Sequence, residues 1–241
     1  MQPKPGIHII NSHYVTPEKV NFKGDALIFE EFLVIISKIG NLISLEEATK
    51  RINDNEIPKN EVLIALSFDD GFEECYTIIA PLLEKYNCRG AFFINGNYVN
   101  STLEYKQKFN QRIATYTKDP MNWEQIMDLH NRGHLIGAHT LDHLNMANLN
   151  DEDLHYQLAT NKEILETKLS YKCEYFAWPY GQLKHFPETA LETTRLYHPY
   201  IYSGTNYRSY FSMNGRVLNR RHMEPFWPKS YIKYFLSCKK K

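Results

Sequence analysis

A chain of 241 residues with 43% hydrophobic content can bury one sizeable core, and α/β barrels of this length fold as single domains. Its 28 Lys and Arg balance 28 Asp and Glu, so no global field selects nucleic acid or an anionic membrane as partner. One domain over residues 1–241 is expected, with a core from about 7 to 223 and a basic, aromatic tail over 224–241.

The N-terminal MQPKPGIHII has no basic stretch followed by a long apolar run and a small-residue cleavage site, so it does not read as a secretory signal. Its IHII (7–10) is the first buried-strand candidate. LIFEEFLVIISKIG is the best apolar stretch for a membrane span, but Glu30, Glu31 and Lys38 break it and it reads as a helix over 27–39. A second helix is predicted over 45–53. Cys75, Cys88, Cys173 and Cys238 show no paired spacing, which fits a reducing, cytoplasmic setting.

VLIALSF (62–68) is the next strand, and it runs directly into Asp69, Asp70 and Gly71. Then come a helix over 73–86, the strand GAFFI (90–94), and a polar insertion from Tyr98 to Asn122 carrying Tyr105, Lys106, Lys108, Arg112 and Tyr116. An insertion of that length above a barrel either contacts substrate or forms a surface helix with no role in the site. A helix over 122–132 leads to the strand HLIGA (134–138), followed at once by HTLDH (139–143). Helices over 151–169 and 187–195 flank the strand EYFAW (174–178), and YIYSG (200–204) is the last apolar run. From Arg216 onward, eight Lys or Arg stand against one acid, Glu224, interleaved with Trp227, Tyr231, Tyr234 and Phe235. A tail of that kind either touches a membrane surface weakly or packs Tyr231, Phe235 and Leu236 on the barrel, and the second is favoured.

Alternation of strands and helices implies a mostly parallel sheet, closed as a barrel or doubly wound. In a parallel barrel the C-terminal strand ends face the active site, so polar clusters there read as chemistry. If HTLDH opens a helix or helical turn, His139 and His143 share one face. Two imidazoles and a carboxylate suffice to hold a catalytic divalent metal, with Asp70 as the third ligand.

SFDDGFEECYTIIAPLLEKYNCRGAFFI, HTLDH and FAWPYG, taken in order, resemble the successive motifs of the NodB-type polysaccharide deacetylases, carbohydrate esterase family 4. The resemblance implies a distorted (β/α)7 barrel and a metal ion on Asp70, His139 and His143, zinc first, with cobalt, nickel or iron as alternatives. It implies Asp69 as general base and an oxyanion site at a backbone N–H near Tyr180, within the element Trp178, Pro179, Tyr180. IINSHYV resembles the histidine-bearing first strand of the poly-N-acetylglucosamine deacetylase branch, which implies His13 as general acid; His222, in RVLNRRHME, is the competing candidate. The family's usual arginine two positions before the proline is Ala177 here, which leaves open what orients Asp69.

The function so implied is hydrolysis of an N-acyl group, N-acetyl first, from an amino sugar or glycan precursor. A deformylase or non-sugar amide hydrolase of the same superfamily is one alternative. A catalytically silent glycan-binding module is another.

Overall fold

The structure, a computed structural model, describes residues 3–18, 21–113, 118–205 and 208–238. In chain order the strands are β1 (Gly6–Ser12), β2 (Asn41–Ile43), β3 (Val62–Phe68), β4 (Ala91–Ile94), β5 (Leu135–Ala138), β6 (Tyr175–Ala177), β7 (Tyr200–Ser203), β8 (Phe211–Ser212), β9 (Val217–Asn219) and β10 (Arg221–His222). The helices are α1 (Phe22–Ser37), α2 (Leu45–Asn53), α3 (Ala80–Lys85), α4 (Leu103–Arg112), α5 (Trp123–Asn131), α6 (Asp151–Leu169), α7 (Glu188–Arg195) and α8 (Lys229–Leu236).

β1, β3, β4, β5, β6 and β7 lie side by side in parallel. A single polar segment closes the ring. Its first part, β9, pairs with β7, Tyr202 opposite Leu218, and its second part, β10, pairs with β1, Asn11 opposite His222. Only Arg220 separates the two, so residues 217–222 act as one kinked seventh stave and the barrel is the expected one of seven. β2 sits beside the first half of β3, and β8 folds back antiparallel on β9.

Alternate strand residues divide between two cores, as the period of two requires. Ile7, Ile9, Leu63, Ala65, Ala91, Phe93, Tyr202 and Leu218 fill the barrel interior, joined by Leu45, Ala48 and Ile52 of α2. Ile10, Ile64, Leu66, Phe92, Ile136, Phe176 and Ile201 face outward against the helices. Gly137 is required by this filling, since a Cβ there would meet the Phe93 ring at 2.5 Å.

Helix limits follow local chemistry. Ser44 caps α2 by accepting from the Glu47 N–H, and Asn122 and Gln125 form a reciprocal capping box at the start of α5. The helix expected over 73–86 is instead a π-turn, Cys75–Ile79, that runs into α3. α1 begins earlier than its apolar run because Asn21 caps it.

The insertion is anchored rather than loose. Tyr98 and Phe109 are buried and stack at 3.9 Å, with Phe72 edge-on to Tyr98. Lys118, which opens the insertion's second described stretch, donates to Glu74 at 2.7 Å in a fully buried pair, and Glu74 also accepts the Val15 N–H at 2.6 Å. One carboxylate thereby ties the insertion and the loop after β1 to the segment following β3. Tyr116 lies outside the described residues.

α8 packs through Ile232 and Leu236, with Phe235 half-buried beside them. Tyr231 was expected on that face but is 54% exposed, because it precedes Ile232 and points off the packed stripe. Among the described residues no helix is long and apolar enough to cross a membrane.

Candidate active site

The two adjacent acids end β3 and diverge. Asp70 and Gly71 both take left-handed backbone angles, φ 75° and 76°, which turn the chain sharply and aim successive side chains apart. Asp69 points to the last stave. Its two oxygens accept from the Arg220 guanidinium at 2.8 and 2.7 Å, a bidentate pair buried on both sides. Arg220 also donates to the Ser203 carbonyl and the Ser67 hydroxyl, and it lies over the Phe93 ring at 5.0 Å. Burial works to raise the Asp69 pKa, but Arg220, and His139 after it, bring it below the ordinary carboxylate value. Arg220 thus fills the place that Ala177 leaves vacant, arriving from the far end of the chain.

Asp70 points to the histidines. Its Oδ1 lies 3.4 Å from His139 Nε2 and 3.2 Å from His143 Nε2, and this buried oxygen has no hydrogen-bond partner among the described residues. HTLDH is not helical. Thr140 and His143 take left-handed angles, φ 61° and 55°, in an irregular turn held by the His143 N–H on the Thr140 hydroxyl. Asn95 fixes the same turn by donating to the His139 and Thr140 carbonyls. The four-residue spacing therefore brings the imidazoles together, rings 5.1 Å apart, by a route other than the expected one.

His139 Nδ1 donates to the Ala177 carbonyl at 2.6 Å, which fixes the tautomer and leaves Nε2 with its lone pair free. Burial lowers the pKa of His143 despite Asp70, keeping it neutral as a ligand must be. An unpaired carboxylate oxygen flanked by two lone-pair nitrogens, all three side chains buried, is a donor set that a divalent cation fits.

Across the cleft stands His13. Its Nδ1 is 2.6 Å from Glu224 Oε1, and Glu224 Oε2 accepts from the Ser12 hydroxyl and the His13 N–H. Burial works to lower the His13 pKa, but the charge and hydrogen bond of Glu224 outweigh it and raise the value to about 9. Glu224 shows the converse: burial pushes up, His13 and His222 pull down, and its pKa falls to about 2. His222 Nε2 bonds the same Oε1 at 2.8 Å, so it supports the carboxylate rather than standing apart.

Asp70, His143, His13, His222 and Glu224 line one cleft of 430 Å³ with Tyr14, Arg112, Tyr180, Phe226 and Trp227. Tyr180, at φ 65°, stands with its ring 4.9 Å from His143. Trp178 does not reach the cleft. β6 ends at Ala177, and Trp178 turns into the core to stack on Phe186 at 4.3 Å, with Pro179 buried beside it. Arg220 and Glu224 were missed by the sequence reading. The one signal for Glu224 was its being a lone acid in a basic run.

Residues 56–197 match the family model described as polysaccharide deacetylase. The chain belongs to the polysaccharide deacetylase family. Within the matched span lie Asp69, Asp70, His139, His143 and Tyr180; His13, Arg220, His222 and Glu224 lie outside it. A peptidoglycan-N-acetylglucosamine deacetylase of Bacillus cereus is 29% identical over 127 residues, 52% of this chain and 39% of that protein. The chain spans less than half the length of the curated relatives it matches. Streptococcus pyogenes deacetylase PplD in complex with acetate superposes with a TM-score of 0.72 at 19% identity, covering 98% of this chain and 99% of that one. IcaB from Ammonifex degensii gives 0.71 at 19%, covering 98% of both. These structures share the fold over nearly the whole length.

Proposed function

We propose that this family member hydrolyses an N-acyl group, N-acetyl first, from an amino sugar or glycan precursor. The observation that carries the reading is the division of the acid pair: one carboxylate locked to Arg220, its neighbour set between two imidazoles. The relatives support the sugar, since those named act on N-acetylglucosamine of peptidoglycan. Aromatic Tyr14, Tyr180, Phe226 and Trp227 supply flat apolar faces along the cleft, suited to stacking on a sugar ring. We place the chain in the poly-N-acetylglucosamine branch on the strength of His13, and in a cytoplasmic setting, which suits cysteines that form no disulfide among the described residues.

Asp70, His139 and His143 would hold a divalent cation, zinc first. When bound, it supplies Lewis acidity to an amide carbonyl and lowers the pKa of water. Asp69 takes the proton from the attacking water. A carboxylate has about four lone-pair sites; Arg220 occupies two, and two remain for that proton. His13, cationic through Glu224, gives its proton to the departing nitrogen as the C–N bond breaks. Water and amide become a carboxylic acid and a free amine.

Replacing His139 with Ala tests the reading. In protein as purified, with no metal added, elemental analysis should find about one equivalent of tightly held transition metal in the parent, lost from the variant, with acid release from N-acetyl sugars lost alongside it. A parent that takes up no zinc or cobalt, or a variant that keeps its metal and activity, would overturn the assignment.

The Glu224 pairing makes a pH prediction. His13 acts as acid only while protonated, so activity falls as pH rises through about 9. Glu224→Gln removes the charge that raises it. The alkaline limb of kcat should then move down toward the ordinary imidazole value of about 6.5, and a pH profile of acid release reads the shift directly.

A further inference from the structure

We infer that His13, His222 and Glu224 form a second divalent-cation site on the wall of the cleft. Occupation of that site would switch the enzyme off. The geometry is independent of the triad at Asp70. His13 Nδ1 and His222 Nε2 converge on one oxygen, Glu224 Oε1, at 2.6 and 2.8 Å, and the three donor atoms all lie within 4.8 Å of one another. The two rings meet edge to face at 5.1 Å, so both nitrogens aim at a common point rather than stacking.

Two imidazoles and one carboxylate are the donor set of many zinc sites that keep a position open for water. The surroundings favour a cation. Glu224 is a buried carboxylate with two imidazole nitrogens within hydrogen-bond distance of one oxygen. The His222 side chain lines the cleft and is 41% exposed, which gives an ion an entry path without unfolding. The carboxylate oxygen accepts a hydrogen bond from each ring; a cation would take the place of those protons.

The consequence for activity rests on the proposed role of His13 as acid. A ligating imidazole must surrender the Nδ1 proton. His13 then carries no positive charge and cannot serve as the strong acid that amine departure requires. Two dications in one cleft repel, so the second binds more weakly than the first. Zinc should therefore act in two ranges, supporting turnover at low concentration and suppressing it at high concentration.

The test uses the full chain, stripped with a chelator and titrated with zinc, with stoichiometry read by equilibrium dialysis and elemental analysis. The parent should bind two equivalents of different affinity. His222→Ala should lose the weaker one or weaken it ~10-fold or more, and His222→Gln, which keeps a hydrogen-bonding side chain, should do the same while guarding against a folding artefact. His139→Ala should retain the weaker equivalent alone. Binding at the weaker site should tighten between about pH 6 and about pH 8, because zinc competes with the His13 proton. A parent that saturates at one equivalent, or a His222→Ala protein that still binds two with unchanged affinity, overturns the second site while leaving the triad standing. A His139→Ala protein that binds two equivalents overturns the triad instead, and the His222 variants then judge the second site separately. Loss of the weaker equivalent without relief of suppression at high zinc would overturn the inhibitory role.

Discussion

Asp69→Asn should cut turnover by ~10² to 10⁴-fold while metal content stays at the parent level. The asparagine keeps one oxygen for Arg220 but turns an N–H₂ toward the other half of the guanidinium, so it removes the base and disturbs the pair together. Circular dichroism and metal analysis on the same preparation separate the two effects. A folded, metalled variant with parent-like turnover would remove Asp69 from the chemistry. The same outcome in a protein that never turned over would favour a glycan-binding role.

Arg220→Ala is expected to have the largest effect on stability. Asp69 would be left buried without its counter-charge, and breaking a buried pair in this way costs about 3–5 kcal/mol. The guanidinium also ties the Ser203 carbonyl of β7 and the Ser67 hydroxyl of β3, so two staves lose a shared partner at once. Urea unfolding followed by fluorescence would read the loss. Where folded protein survives, the acid limb of its pH profile should move upward: without Arg220, burial raises the pKa of Asp69, and a higher pH is needed to empty it. Arg220→Lys should recover part of the stability but not the bidentate grip. A variant with unchanged midpoint and profile would show that Asp69 is held by something else.

The halves of the site differed in how far they could be read from sequence. Asp69, Asp70, His139 and His143 stand in short motifs at the ends of apolar runs, and a parallel barrel gathers such ends by construction. Asp69 and Arg220 are 151 residues apart, and His13 and Glu224 are 211 apart. No local spacing encodes such pairs. The stave that carries Arg220 also reads as polar, because Asn219, Arg220 and Arg221 interrupt its apolar pattern, and period-two reasoning passes over it. Trp178 failed for a smaller reason. The run EYFAW continues one residue past the strand, and that residue turns inward to Phe186. HTLDH brings its two imidazoles beside Asp70 through a different local structure from the one expected, since two left-handed residues do what a helical turn was expected to do.

The seventh stave also sets an order of events. Residues 217–222 must enter between β7 and β1 before Arg220 meets Asp69 or Glu224 meets His13. The contacts that close the ring are among the most distant in the chain, and such pairings are slow because the long intervening loop must be organised first. During synthesis, a ribosome-bound chain that stops before Val217 can bring Asp70, His139 and His143 together yet leaves Asp69 without Arg220 and His13 without Glu224. On the proposed mechanism, hydrolytic competence therefore arrives last, in one step with closure, and cannot be acquired by a partly made barrel.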